Sequence, residues 1–212
     1  RAPRTKGRER NYSYITSRRT EAAFGAFLPV TTTGLAKVAE PAAFHRSLCG
    51  KLDHYRKSAL YHMEALDVIG RIFSSLEGNA LTNLNVAGLK AVCEYLNISF
   101  DYRFCSGLSL DFPDRMGPGD WAPFISRKLE ATRYVNPAGG CDLFKPSDLS
   151  DHDIDLRCAR FGEFSYGTPG YNFKAGLSIL DVLMWNDPNA IRQAIFDLNV
   201  LLPPEYFRSV TA

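Results

Sequence analysis

A chain of 212 residues with 25 basic and 23 acidic side chains, a formal charge of +2 and 45% apolar residues has the makeup of an ordinary soluble globular protein. At this size about 70% of the unfolded surface is buried on folding, so a single domain over residues 1–212 is expected to form without staples. The balanced charge argues against a nucleic-acid partner, which needs clustered, uncompensated cations, and no apolar run approaches the roughly 20 residues that cross a bilayer.

Most of the net charge sits at the start, where Arg1, Arg4, Lys6, Arg8, Arg10, Arg18 and Arg19 stand against Glu9 alone. Such a run reads either as a solvated basic segment over residues 1–20 or as an anion-binding one. No apolar stretch of a signal peptide follows it. Leu28 to Thr33 is rich in β-branched residues and predicts a strand with Pro29 at its start or at a sheet edge. Between Lys51 and Phe73, the apolar residues Leu52, Tyr55, Ala59, Met63, Leu66, Ile69 and Phe73 recur every three or four positions, which predicts one long amphipathic helix. Gly78 and Asn79 break it. Thr82 then caps a second helix with the stripe Leu84, Ala87, Ala91, Val92, Tyr95 and Leu96, and Asn97 ends it.

At Ile98 the period changes to two: Ile98, Phe100, Tyr102 and Phe104 alternate with polar residues and predict a strand. A Gly- and Pro-containing loop runs from Cys105 to Gly119. Asp120 then caps a helix through Trp121, Phe124, Ile125 and Leu129, and Arg133 to Val135 is a short strand. Ile154 to Phe161 reads as another strand. Helix resumes from Leu177 to Trp185 and again after Asp187 and Pro188, an N-cap followed by proline at the first helical position. Strands alternating with helices predict an α/β fold, a mainly parallel sheet with flanking helices in three layers.

The five cysteines, Cys49, Cys93, Cys105, Cys141 and Cys158, form no close pair and have no histidine at zinc-finger spacing, so no structural metal is expected. An odd, scattered set suits a reducing compartment, and the expected location is the cytoplasm. His54 and His62 fall eight positions apart on the predicted long helix, about 12 Å by helical rise, too far to share a metal. Asp148, Asp151, Asp153 and Asp155 lack the glycine and terminal Glu of a calcium loop and read as a solvated turn.

In parallel sheets, ligands bind where loops leave the carboxyl ends of strands. Three segments are expected to gather there: Cys105 to Asp111 with Ser106, Asn136 to Asp142, and Gly162 to Asn172. The glycines of Asn136-Pro137-Ala138-Gly139-Gly140 let a backbone approach an anion or form a tight turn, and they match neither the dinucleotide fingerprint nor the P-loop. No cofactor is expected. Cys141, just after the double glycine, is placed to be a nucleophilic thiolate if it opens a helix, or else a small buried hydrophobe. Tyr166, Tyr171 and Phe173 form either an aromatic wall for a sugar or base or an anchor for their loop. Asp181, in the apolar run Leu177 to Trp185, needs a partner, for which Lys57, Arg10 or a loop N–H is expected.

These motifs resemble the WbqC-like proteins. The resemblance rests on Leu177 to Asn186 (LSILDVLMWN) with Asp187-Pro188, on Tyr134 to Gly140 (YVNPAGG) followed by Asp142-Leu143-Phe144, on Tyr55, Lys57, Ala59 and Tyr61, and on Arg10-Asn11 and Leu28-Pro29-Val30. Leu60 stands where that family has proline, and the resemblance implies an opening strand-and-helix portion that is expected before Arg1. The resemblance implies proteins of O-antigen and other glycan or specialised-metabolite pathways, acting by transfer onto an activated sugar or amine.

The expected function is therefore transfer, acyl or aminoacyl in kind, onto an amine or amino sugar. Cys141, His54 and Lys57 are the catalytic candidates, and Arg10, Asn11, Tyr55, Ser106, Asn136, Gly139, Gly140 and Tyr171 the substrate-binding ones. The partners expected are a small-molecule or carrier-linked substrate and either a second copy of the chain or a pathway enzyme. The alternative is a non-catalytic scaffold subunit docking a pathway enzyme through the basic segment.

Overall fold

The computed structural model describes residues 13–16, 26–27 and 37–208. Arg10, Asn11 and the strand expected over 28–33 lie outside these residues. The described residues group into two compact units.

The first unit takes in Asp101–Arg160, the strands β1 (Ser13–Thr16) and β2 (Ala26–Phe27), and the chain from Leu201 onward. Its sheet contains β3 (Arg133–Pro137), β4 (Asp155–Phe161) and β5 (Asn199–Leu202), in the order β2-β1-β3-β4-β5. β1 runs antiparallel to β2 and to β3, and β3 runs parallel to β4, so the sheet is mixed. The α/β class holds, but the mainly parallel, three-layer arrangement is not what the pairing gives. A parallel pair needs a long crossover. The segment 138–154 supplies one between β3 and β4, through a 3-10 turn, Ala138–Leu143, and a short helix. On this sheet Tyr134, Phe144, Leu149, Ile154 and Leu156 close a core with Ala122 of the helix Trp121–Lys128.

The second unit, 37–100 with Phe161–Val200, is helical. It contains α1 (Pro41–Leu52), α2 (His62–Ser74), α3 (Leu81–Tyr95) and, beyond the helices α4 (Trp121–Lys128) and α5 (Ser147–Ser150) of the first unit, α6 (Ile179–Trp185) and α7 (Pro188–Leu198). The single helix predicted from Lys51 to Phe73 is broken. α1 ends at Leu52, a 3-10 turn covers Asp53–Tyr55, and α2 starts only at His62. The break changes which face of α2 is buried: His62, Ala65, Val68, Ile69 and Ile72 point inward, while Met63 is 65% exposed. Tyr61 N–H donates to Met184 O at 2.9 Å, so the start of α2 is fixed by α6.

α3 begins one residue before the expected cap Thr82, and Asn97 ends it in the left-handed region at φ 51°. The Ser178 hydroxyl caps α6 and the Asp187 carboxylate caps α7, accepting from the N–H groups of Asn189 and Ala190. Val68, Leu183, Met184 and Ile191 are at most 2% exposed at the centre of this unit, each contributing about 1.5–3 kcal/mol by burial. The strand predicted from Ile98 to Phe104 does not form. Tyr102 and Phe104 are 41% and 42% exposed and the segment joins no sheet, so its alternation has no buried face to fill.

Candidate functional site

The predicted site residues fall into two groups, one in each unit. In the helical unit, breaking the helix at Asp53 puts His54 and Tyr55 on a tight turn rather than on a helix face. Their rings lie 3.9 Å apart, centre to centre. Tyr171, from a loop 117 positions later, donates its hydroxyl hydrogen to His54 O at 2.9 Å, and its ring lies 5.0 Å from Tyr55 and 5.8 Å from Trp185. Lys57 is exposed two residues past Tyr55. His54, Tyr55 and Tyr171 are therefore brought together, with His54 and Tyr171 open to solvent.

Beneath them lies Asp181, 9% exposed in the first turn of α6. Its partners are neither Lys57 nor a loop N–H. Tyr166 donates its hydroxyl hydrogen to Asp181 Oδ2 at 2.6 Å, and Trp185, one helical turn on, donates its indole N–H to Oδ1 at 3.4 Å. Burial, the bond to Asp181 and the nearby carboxylate charge push the Tyr166 phenol far above its ordinary value. Burial, with the charge of Asp181 and then Tyr171, raises Tyr55 as well. The Tyr166 ring also meets Phe173 edge-on at 5.0 Å, so the aromatic loop is both anchored and part of the cluster. The sequence reading missed Trp185, although the four-residue spacing from Asp181 places both on one face of a helix.

The second group lies at the end of β3. Asn136 is 2% exposed and its amide is bonded at both ends within the unit, accepting from Tyr134 O–H at 3.0 Å and donating to Pro137 O at 3.0 Å. A Cβ on Gly140 would come within 2.5 Å of Asn136 Nδ2, whereas one on Gly139 would meet nothing. Gly140 therefore serves the packing of Asn136, and only Gly139 leaves backbone exposed. Cys141 is bonded to Cys158 of β4, with the Cα atoms 6.1 Å apart, and is 1% exposed. That pairing corrects the expectation of a free nucleophilic thiolate, which requires an ionisable, reachable sulfur. Ser106 is exposed on a separate 3-10 turn, Cys105–Gly107. Among the described residues no cluster of three His, Cys, Asp or Glu side chains is arranged to hold a metal, and no helix is long and apolar enough to cross a membrane.

No curated protein and no solved structure matches the chain. A family model does. It aligns with residues 29–193, well over half of the sequence, taking in the His54-Tyr55 turn, the Asn136 to Gly140 segment and the Asp181 helix, so the chain belongs to the WbqC-like protein family.

Proposed function

We propose that this protein is a transferase of cell-surface glycan or specialised-metabolite assembly, moving an acyl or aminoacyl group onto an amine or amino sugar. The observation that carries this reading is the convergence of His54, Tyr55 and Tyr171 over the buried Asp181, held by the Tyr171 to His54 hydrogen bond. A partly open aromatic face suits a sugar ring or a hydrocarbon chain. An exposed imidazole on its edge offers a ring nitrogen able to accept a proton.

The acceptor nitrogen lies on the Tyr55 and Tyr171 rings, and its lone pair forms the new C–N bond at the carbonyl carbon of an activated ester. The bond from that carbon to the leaving oxygen breaks and the leaving group departs with the electron pair. The acceptor arrives as an ammonium: His54 takes the first proton, which frees the lone pair, and the second proton, lost by nitrogen as the C–N bond forms, leaves on the departing oxygen. Lys57, on the same turn, attracts an anionic donor.

The test is deletion of the gene in its source cell, followed by mass spectrometry of surface glycan and small metabolites. Loss of one acyl- or aminoacyl-sized increment from an amine-bearing product, restored by the wild-type gene and not by His54→Ala, is the expected outcome. An unchanged product profile rejects the reading.

A further inference from the structure

We infer that Asp181, together with the faces of Tyr55 and Trp185, recognises the acceptor as a protonated primary amine, so that the site selects a charged amino group over its neutral amide. The inference rests on the transfer reading above for the face on which the acceptor lies.

Asp181 is nine-tenths buried, yet both of its recorded donors are neutral, one phenol and one indole. A carboxylate offers about four lone-pair positions, of which these bonds use two. Among the described residues no ion pair involves Asp181. Placing an acid with only neutral donors in an apolar helix costs stability, and a cation is the ligand that such a group best accommodates.

The surroundings favour an organic cation. Tyr55 meets Trp185 edge-on at 5.7 Å and Tyr171 at 5.0 Å, so aromatic rings adjoin the indole whose N–H reaches the carboxylate, and rings of this kind attract cations. Tyr171 is 39% exposed, leaving the cluster open on that side. Tyr166 is a positioning residue: its short bond to Oδ2 fixes the carboxylate orientation, while its own ring is held by Phe173. Lys57 sits on the same exposed turn as His54 and Tyr55 and suits the opposite charge, that of the donor.

The probes are glucosamine and n-butylamine, with N-acetylglucosamine as the uncharged control, read by thermal shift and tryptophan fluorescence on the full chain. Glucosamine or n-butylamine is expected to stabilise the wild type, N-acetylglucosamine is not, and Asp181→Asn weakens amine binding about tenfold or more with its far-UV circular dichroism unchanged. Equal response to the amide, no response to either amine, or full amine binding by Asp181→Asn overturns the inference. Should Asp181→Asn fail to fold, Tyr171→Ala, at the exposed edge of the cluster, takes its place: weakened amine binding supports the inference and unchanged binding overturns it. Amine binding through Asp181 with an unchanged product profile in the deletion cell refutes transfer alone. A lost product with Asp181-independent amine binding refutes this inference alone.

Discussion

At Asp181 a short hydrogen bond and a burial cost act on the same atom. Tyr166→Phe removes the 2.6 Å donor and nothing else from the ring, leaving Oδ2 of a buried carboxylate short of a partner. A loss of about 1–3 kcal/mol in urea unfolding is expected. Because the folded protein holds the Tyr166 phenol above its ordinary value of 10.0, the native state keeps a proton that the unfolded chain releases. The contribution of Tyr166 is therefore complete below that pH and is lost as pH rises beyond it, and stability falls less steeply with alkaline pH in Tyr166→Phe than in the wild type. Stability measured from pH 8 to 11 on both proteins checks the sign; a wild type that gains stability over Tyr166→Phe above pH 10 contradicts it. That Asp181 needs a partner is readable from nine residues of sequence, since an acid in an apolar helix has no other way to be tolerated. Which partner it finds depends on a loop that folds back from Tyr166, and no local pattern encodes that contact.

Among the elements, the two glycines after β3 separate cleanly. Gly140→Ala drives a Cβ into the Asn136 amide, which is buried and bonded at both ends, and should cost about 1–3 kcal/mol. Gly139→Ala, with open space around its Cβ, should stay within about 0.5 kcal/mol of wild type. Thermal unfolding of the two single variants checks this; equal losses would mean that the double glycine acts as a unit. Asp155 bridges its register partner Arg133 on β3 at 2.8 Å and Arg157, two residues along its own strand β4, at 2.9 Å. Partial burial pushes its carboxyl up, but the bonds and charges of Arg157 and Arg133 outweigh that and hold it below its ordinary range. Its contribution is present above the unfolded value of 3.8 and fades as pH falls through the lowered one. Because the pair is over a third exposed, Asp155→Asn should cost no more than about 1 kcal/mol at pH 7, with the difference shrinking as pH falls below 3.8.

The same scale shows what a period conveys. α7 and β4 follow their patterns because a cap and an alternation act within the segment, whereas α3 keeps its stripe without the Thr82 cap. The run from Lys51 to Phe73 keeps a helical period through a break, because α6 captures Tyr61 N–H and the next helix buries a different face.

For the molecule as a whole, the sulfur atoms distinguish the two units. Cys141 and Cys158 join the 3-10 turn after β3 to the middle of β4, both in the first unit, while Cys49 and Cys93 are free in the second and Cys105 is free in the first. Burial raises the thiols of Cys93 and Cys105, which slows their reaction in the native state. Alkylation of the denatured, unreduced chain should therefore label three cysteines, and five after reduction. The disulfide closes a loop 17 positions long, so opening it should destabilise the first unit by about 3 kcal/mol. Hydrogen exchange with and without a phosphine reductant would locate the effect. Faster exchange is expected at Arg133 to Pro137 and Asp155 to Phe161, with α2 and α6 unchanged, since the hydrophobic core of Val68, Leu183 and Met184 is complete without a residue of the sheet. An equal loss of protection in both units would show that they unfold together and would tie the amine-binding face to the redox state of the sheet.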